Sequence, residues 1–324
     1  MKRQQFLKYV SVLGLTALSG CADYGKKKGG PWLGARAQGP VIDKTDDPIL
    51  QGLIQTVGTK FKAQQFSDPK TGRILNYSLY TPEHLVRGKK YPLVLFMADA
   101  STPGRSIDAA ITQGYGALVF AEPDFQSKHP CFVLVPEYSG VTVNDSYERT
   151  EEVDMTIRLL ESLLKTLPIN RRKLFTTGQS MGGMMSMYFM TQFPELFAAG
   201  MFVDCHWDPK TYDKLLDDKF IFFAAGKDGS AGQQIQKILN LLREDELPYS
   251  AAEWSAKLPE DEQNMLAQEL FQRGNPINFI VFTSGSVLPP EGGSEHMYSF
   301  DYAYKIGAAR DWLLNQQLGA PVKY

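Results

Sequence analysis

The sequence predicts an α/β fold: a mostly parallel, twisted sheet with helices on both faces and an antiparallel N-terminal hairpin. Short continuous apolar runs such as Tyr91–Met97 and Phe220–Ala225 are typical of strands buried on both faces. These runs alternate with segments of helical periodicity, an order that places parallel strands between helices. Near the start, a polar turn at 67–72 separates two strand-like segments, 51–66 and 73–81, which we expect to form the hairpin.

The remaining elements follow in chain order. Beyond the two runs already named, strands are predicted at 131–135, 173–177, 198–203 and 278–283, and helices at 149–167, 181–193, 233–243 and 302–318. The helix at 149–167 has the clearest pattern, because apolar residues recur at helical spacing and acidic residues fill its first turn. Residues 244–275 carry a further helical pattern, at 251–273. We expect them to form a helical insertion, either a lid or a surface layer.

Composition limits the class of protein. The chain has 324 residues, 43% of them hydrophobic, and a net charge of -2. No excess of Lys and Arg points to nucleic acid as a partner. We expect one domain, residues 48–324, because an α/β domain of this size commonly stays single. The oligomeric state is left open.

The first residues predict export. Positive residues precede a short apolar stretch at 9–18, which is too short to span a bilayer. The sequence Leu-Ser-Gly then leads into Cys21 and resembles a bacterial lipobox, in which the cysteine becomes the acylated N-terminus. We therefore expect a lipoprotein signal peptide at 1–20, a flexible tether at 21–47 and a location in the cell envelope, anchored to a membrane through lipid on Cys21. The alternative is an ordinary secretory signal with an incidental cysteine. Cys131 and Cys205 are expected to be free buried thiols.

The segment 178–182 (GQSMG) is the main candidate for chemistry. Gly-x-Ser-x-Gly alone is a weak pattern, but here an apolar strand precedes it and a helix follows. A serine on such a sharp strand-to-helix turn has strained backbone and an exposed hydroxyl, so Ser180 is predicted to be a nucleophile. The alternative is a glycine-rich turn without chemistry.

A serine nucleophile needs a base, and the chain has four histidines. Sites in open α/β sheets lie beyond the carboxyl ends of the strands. His84 and His129 precede strands and should lie at the opposite edge. His206 and His296 follow strands, and the chain order serine, acid, histidine selects His296 as the base. His206 is then expected in the wall of the substrate cleft.

The acid should follow a strand between Ser180 and His296. Asp228 follows Phe220–Ala225 and is favoured, since its carboxylate would orient the imidazole and stabilise the imidazolium. Asp204, after the preceding strand, remains the alternative.

Two backbone N–H groups should bind the oxyanion. One is expected from Met181 and the other from the loop 98–101, with Ala100 or a neighbour as donor. Tyr138 and Trp207 also follow strands and, with His206, are predicted to line the substrate cleft, unless they pack in the core or at its rim. The chain contains no HExxH or CxxC pattern, so no metal or other cofactor is expected.

Three segments carry a family resemblance: YPLVLFMADAS, RRKLFTTGQSMGGMMS and HMYSFDYAYKIGAARDWLL. Over residues 50–320 the chain resembles bacterial esterases of the polyhydroxybutyrate-depolymerase and feruloyl-esterase-like branch of the α/β-hydrolases. The resemblance implies a carboxylic ester hydrolase with Ser180 as nucleophile, His296 as base, Asp228 as acid, and Met181 and Ala100 as oxyanion donors. Many such hydrolases have His-Gly where this chain has Ala-Asp at 98–99.

The resemblance implies acyl or feruloyl esters on polysaccharides, small esters or polyester oligomers as substrates. The branch also contains proteins labelled peptidases, so a serine peptidase with the same triad is an alternative. A second alternative is a lipid-anchored binding protein that keeps the fold without catalysis.

Overall fold

The computed structural model describes residues 33–37 and 41–319 of the chain, so the predicted signal peptide and Cys21 lie outside the described residues. Within that part, nine strands form one sheet in the order β1-β2-β4-β3-β5-β6-β7-β9-β8. The strands are β1 Lys62–Ser67, β2 Ile74–Tyr80, β3 Tyr91–Met97, β4 Phe132–Glu137, β5 Ile169–Gln179, β6 Ala199–Val203, β7 Phe220–Ala225, β8 Tyr249–Trp254 and β9 Ile277–Phe282. β2 is antiparallel to β1 and β4, and all other neighbours are parallel. The predicted sheet, with its N-terminal hairpin, is confirmed.

Helices cover both faces of the sheet. They are α1 Pro48–Thr56, α2 Ala109–Thr112, α3 Pro123–Lys128, α4 Glu151–Thr166, α5 Met181–Gln192, α6 Gly229–Glu244, α7 Glu260–Phe271, α8 Glu295–Lys305 and α9 Gly307–Leu314, with 3₁₀ turns at Gly58–Lys60, Leu118–Phe120 and Pro209–Leu215. Alternate residues of one strand enter different cores: Val94 and Phe96 of β3 face one, Leu93 and Leu95 the other. This is why the central strands are continuous apolar runs. No helix in the described part of the chain is long and apolar enough to cross a membrane.

The prediction of a strand over 51–66 is wrong in its first two thirds, where the chain forms α1 and a 3₁₀ turn before β1 begins. Asp47 caps α1 by accepting hydrogen bonds from the backbone N–H groups of Ile49 (3.1 Å) and Leu50 (3.0 Å). Pro48 occupies the first helical position, which suits its fixed φ and its missing N–H. These start signals outweigh the apolar content that suggested a strand.

The segment 244–275 is not a purely helical insertion. It contains β8, which pairs in parallel with β9 and extends the sheet by one edge strand, followed by α7. Ser250, Ala252 and Trp254 are buried at every second position, the period of a strand. Alanine and glutamate in this stretch favoured a helix by propensity, and tertiary pairing overrides that preference.

The last predicted helix, 302–318, is two helices in the structure. α8 ends at Lys305, Ile306 adopts an extended backbone (φ -70°, ψ 96°), and α9 then runs to Leu314. The side chain of Ile306 is buried in the core at the point where the chain changes direction between the two helices. α8 also begins seven residues earlier than predicted, so His296 lies in its first turn rather than in the preceding loop.

Part of the predicted tether is docked on the domain. The backbone N–H of Gly34 donates to the carbonyl of Val141 (2.7 Å), and Val141 donates back to Ala35 (2.8 Å). Ala37 donates to the carbonyl of Pro103 (2.9 Å). Residues 33–37, which we call the N-terminal strap, therefore lie against the loops that follow β3 and β4.

Candidate active site

Ser180 lies between β5 and α5 on strained backbone, with φ +50° and ψ -118°. A left-handed φ is rare for a residue with a side chain and persists where the surrounding structure demands it. Here Gly182 packs so close to β3 that a Cβ would lie 1.9 Å from the carbonyl oxygen of Met97, and a Cβ on Gly178 would lie 2.3 Å from Gly182. The sharp turn predicted from the GQSMG segment is present.

A continuous hydrogen-bonded chain leads from this serine to an acid. His296 Nε2 lies 2.9 Å from Ser180 Oγ, and His296 Nδ1 lies 2.5 Å from Asp228 Oδ2. Asp228 also caps α6, where its Oδ1 accepts from the backbone N–H groups of Ser230 (3.1 Å) and Ala231 (3.2 Å). The structure thus brings together the three residues predicted from chain order, and of the two candidate acids it is Asp228 that contacts the imidazole.

His296 and Asp228 stabilise each other's charged forms. Burial disfavours the imidazolium, but the hydrogen bond to Asp228 and the charge of that carboxylate outweigh burial, so the pKa of His296 is raised above its usual value. Burial acts against the Asp228 carboxylate as well, and the hydrogen bond from His296 outweighs it, so the pKa of Asp228 is lowered. The Asp228 carboxylate therefore stabilises the imidazolium that forms when His296 Nε2 takes a proton.

Glu295 fixes the start of α8, a role that the sequence analysis did not foresee. Its carboxylate is buried and accepts from the backbone N–H of Lys227 (2.8 Å) and of Gly285 (2.6 Å). It thereby ties the loop that carries Asp228 to the helix that carries His296. A buried carboxylate requires donors, and those of Glu295 come from two segments distant in the chain, so no local pattern in the sequence reveals its role.

Asp204 is adjacent to this chain but not in it. It is fully buried with φ +40°, Oδ1 accepts from the backbone N–H of Ala225 (2.7 Å), and Oδ2 is hydrogen-bonded to the Ser299 hydroxyl. One side-chain atom each of Asp204, Asp228 and His296 lie within 4.8 Å of one another, a spacing that a metal ion would accept. Hydrogen bonds to the imidazole, the backbone and Ser299 already account for these atoms.

The two predicted oxyanion donors lie at the same edge of the sheet. Met181 is the first residue of α5, so its N–H has no partner within the helix. In the loop after β3, the Asp99 carboxylate accepts from the backbone N–H of Ser101 (2.7 Å) and from the side chain of Gln179 (3.0 Å). The N–H of Ala100 has no acceptor among the described residues, so it is available to a ligand.

The predicted cleft residues differ in their exposure. His206 is half-buried, lies 3.4 Å from Asp145 and meets the edge of Tyr147; burial lowers its pKa despite the nearby Asp145. Trp207 is buried beneath Tyr147 and Tyr188, and its ring packs in the core. Tyr147, which the sequence analysis did not single out, packs against both His206 and Trp207.

Tyr138 is buried, and its hydroxyl lies 3.0 Å from that of Thr156. It also lines a cavity of about 220 Å³ together with Arg36 of the N-terminal strap and Glu137. Burial raises the pKa of Glu137 to about 9, so this carboxyl is neutral at pH 7. Gly104 and the residues that follow it also line this cavity, and they belong to the same loop as Ala100.

His84, His129 and Cys131 lie away from this site, whereas Cys205 directly follows Asp204 and lies beside it. His129 contacts Asp311 at 3.0 Å, and His84 is exposed before β3, as expected from strand polarity. Cys131 and Cys205 are free and buried.

Comparison with known proteins agrees with the fold. The chain has the α/β-hydrolase fold, and residues 146–285, which include Ser180 and Asp228, match the model of the Prolyl oligopeptidase family. No curated protein matches the chain at the level of sequence.

Solved structures with the same fold include both esterases and peptidases. A thermostable esterase superposes with a TM-score of 0.65 at 23% identity, over 81% of this chain and 64% of its own. The feruloyl esterase module from Clostridium thermocellum, a mutant complexed with sinapinate, gives 0.52 at 12% identity, over 82% and 90%. A puromycin-hydrolyzing peptidase of Mycobacterium tuberculosis gives 0.50 at 14%, over 78% and 39%. The chain thus spans less than two thirds of the first and third of these proteins.

Proposed function

We propose that this chain is a serine hydrolase that cleaves carboxylic esters, with Ser180 as nucleophile, His296 as general base and Asp228 as the orienting acid. The observation that carries the proposal is the hydrogen-bonded chain from Ser180 Oγ through His296 to Asp228, at 2.9 and 2.5 Å. The 2.9 Å distance between Ser180 Oγ and His296 Nε2 lies within the range required for proton transfer between nucleophile and base. The strained backbone of Ser180 supports the same role.

In the proposed reaction, His296 Nε2 takes the proton of Ser180 Oγ as the oxygen attacks the ester carbonyl carbon. The backbone N–H groups of Met181 and Ala100 stabilise the negative oxygen of the tetrahedral intermediate. The imidazolium then protonates the departing alcohol, which leaves an acyl-enzyme on Ser180. Water, deprotonated by His296, attacks the acyl-enzyme, and collapse of the second intermediate releases the carboxylic acid and restores the serine hydroxyl.

The proposed substrates are acyl or feruloyl esters, borne by polysaccharides, small alcohols or polyester oligomers. The side chains of Tyr147 and His206 form an aromatic edge that suits an aromatic acyl group or a sugar ring. The sequence resemblance to feruloyl-esterase-like enzymes supports this class, and two of the structures with similar folds are named esterases.

Peptide hydrolysis by the same residues is the second candidate, favoured by the match to the Prolyl oligopeptidase family. Matched ester and anilide substrates with the same acyl group separate the two. Faster acylation by the ester, with little anilide cleavage, supports the esterase; comparable kcat/KM on both would make it a peptidase.

The experiment that tests the hydrolase proposal combines an ester panel with a fluorophosphonate probe. Wild-type protein should be labelled on Ser180 and should hydrolyse at least one ester, and Ser180→Ala should do neither. The control is Ser186→Ala, because Ser186 is a buried serine on α5 that bonds Thr176 and not His296. An unlabelled wild type would instead point to a binding protein without catalysis.

We also propose that the protein is held at a bacterial membrane, in the cell envelope, by lipid on Cys21. The support is the lipobox-like sequence before that cysteine and the positive, then apolar, residues that precede it. Expression of Cys21→Ser should release the protein into the soluble fraction. A variant that stays in the membrane fraction would refute the anchor.

A further inference from the structure

We propose that Asp204 is a positioning residue of the hydrolytic site, which keeps its proton and, together with Ser299, fixes the turn of α8 that carries His296. The proposal rests on the roles proposed above for Ser180, His296 and Asp228. It gives a role to the second carboxyl group at the site, which the reaction itself does not use.

The two carboxyl groups are too close and too buried to be ionised together. Their oxygens lie within 4.8 Å of each other in a space closed to solvent, since Asp204 is fully buried and Asp228 is 8% exposed. Like charges at this distance in a low dielectric force one group to hold a proton. The pair therefore carries a single negative charge in the resting enzyme.

The hydrogen bonds indicate which carboxyl keeps the proton. Asp228 accepts from two backbone N–H groups of α6 and from the His296 ring, so three donors stabilise its charge. Asp204 accepts one backbone N–H, from Ala225, and contacts the Ser299 hydroxyl, a group that can accept as well as donate. Burial and the charge of Asp228 both raise the pKa of Asp204, in agreement with this assignment.

A protonated Asp204 completes a path of hydrogen bonds into α8. Its hydroxyl can donate to Ser299 Oγ, and Ser299 Oγ can then donate to the carbonyl oxygen of His296, which lies 3.0 Å away. Ser299 is one helical turn beyond His296, so this path holds the turn under the imidazole. Asp204 holds this position with a left-handed backbone (φ +40°), which a residue with a side chain keeps only where its surroundings demand it.

Other titratable groups face the same cluster. They are Cys205 beside Asp204 in the chain, His206 in the cleft wall, and Asp99 in the oxyanion loop. The net charge next to His296 Nδ1 is nevertheless decided by the charge states of Asp204 and Asp228.

The test measures the rate of Ser180 labelling by a fluorophosphonate as a function of pH. Asp204→Asn retains an acceptor for Ala225 and a donor for Ser299, so its rate should stay within about threefold of wild type with an unmoved acid limb. Asp204→Ala and Ser299→Ala should lower the rate about ten- to a hundredfold, because small displacements of a base have effects of that size. Asp218→Asn is the control: Asp218 is also largely buried but precedes β7, at the opposite edge of the sheet, and should leave the rate unchanged.

Two results would overturn the proposal. If Asp204 were ionised, Asp204→Asn would remove a charge within 4.8 Å of the imidazole, and the acid limb would move to lower pH by about one unit or more. If Ser299→Ala, folded by circular dichroism, labelled at the wild-type rate, Asp204 would have no positioning role; this variant decides the matter even if Asp204→Ala does not fold.

A second measurement is independent of the hydrolase proposal. Difference infrared spectra at pH 8 of wild type minus Asp204→Asn should contain one protonated-carboxyl C=O band. The Asp218→Asn difference spectrum should lack a band of that intensity, because the pKa of Asp218 is raised only to about 7. Wild-type protein that shows the Asp204 band but no labelling would refute the hydrolase proposal and leave the protonated Asp204 standing, whereas absence of the band would refute the latter alone.

Discussion

The side chain of Gln179 donates a hydrogen bond from Nε2 to Asp99 Oδ2 at 3.0 Å, and both residues are buried. Gln179 is the residue before the proposed nucleophile, and Asp99 lies in the loop that offers the Ala100 N–H. The other oxygen of Asp99 accepts from the Ser101 backbone. This carboxylate therefore fastens the oxyanion loop to the nucleophile turn, in a chain that lacks the His-Gly found in many related hydrolases.

The first prediction concerns this link. Asp99→Ala should lower kcat for an ester substrate about ten- to a hundredfold, because the Ala100 N–H would lose its fixed direction toward the oxyanion. Asp99→Asn should lower kcat much less, because the new side-chain oxygen can still accept from Ser101. The Gln179 amide can flip so that its oxygen accepts from the new side-chain amide. Steady-state kinetics test this, with the exposed Asp108→Ala as control from the same loop. Equal kcat for Asp99→Ala and wild type would refute the role.

The second prediction concerns pH. Because the pKa of His296 is raised, the imidazole is protonated, and inactive as a base, up to a higher pH than a free histidine. We expect kcat/KM to fall as pH decreases through a limb above about 6.5, the ordinary histidine value. Asp228→Asn removes the main group that raises this pKa, so the limb should move to lower pH and kcat should fall about 10⁴-fold. A limb that stays in place in that variant would mean that Asp228 does not act on His296.

The third prediction concerns the backbone of the nucleophile turn. Ser180→Ala keeps a Cβ at φ +50°, whereas Ser180→Gly relieves that constraint. We expect the glycine variant to be more stable than the alanine variant by about 1 kcal/mol, the usual strain at such positions. Chemical denaturation of the two inactive variants measures this difference without interference from activity. Equal stabilities would show that the turn is not strained.

The fourth prediction concerns the N-terminal hairpin. Asp68, which is buried in its turn, accepts from Arg158 of α4 at 2.7 and 2.9 Å and from Thr71 at 3.1 Å. Arg158→Met should destabilise the fold by about 3 to 5 kcal/mol at pH 7, because it leaves a buried carboxylate without its partner. Urea denaturation checks this, with Lys60→Met in the exposed pair with Glu83 as a control of little effect.

The Asp68–Arg158 pair also predicts how the stability of the fold changes with pH. Arg158 holds the pKa of Asp68 well below its usual range, so the stabilisation is complete above the unfolded value of about 3.9 and is lost as pH falls below it. The difference between wild type and Arg158→Met should therefore shrink as the pH is lowered from 5 toward 2. A constant difference across this range would contradict the assignment.

Much of this architecture could be predicted because buried parallel strands and strand polarity leave strong local signals. The runs Tyr91–Met97 and Phe220–Ala225 have the predicted bounds, and the polarity of the strands correctly separated His296 from His84 and His129. Those inferences depend on hydrophobic pattern and chain direction alone.

What escaped prediction depends on contacts between distant segments. β8 is a strand because it pairs with β9, and its own alanine-rich sequence favours a helix. Asp204, Glu295 and Ser299 gain their positions from the meeting of β6, β7 and α8, so no single stretch of sequence reveals them. Likewise, Tyr138 and Trp207 follow strands as predicted, but whether an aromatic ring there faces the cleft or the core is decided by its neighbours.

The docking of the N-terminal strap against the loops after β3 and β4 limits how far the domain can travel from its proposed anchor. Eleven residues lie between Cys21 and Leu33, where the described strap begins, and a fully extended chain over those twelve steps reaches about 40 Å. The strap joins the domain at the edge that bears Ser180, so a lipid on Cys21 would keep the hydrolytic face close to the bilayer. The protein would then reach only esters close to the membrane surface. Lengthening the segment between Cys21 and the N-terminal strap would let it reach esters farther from the membrane.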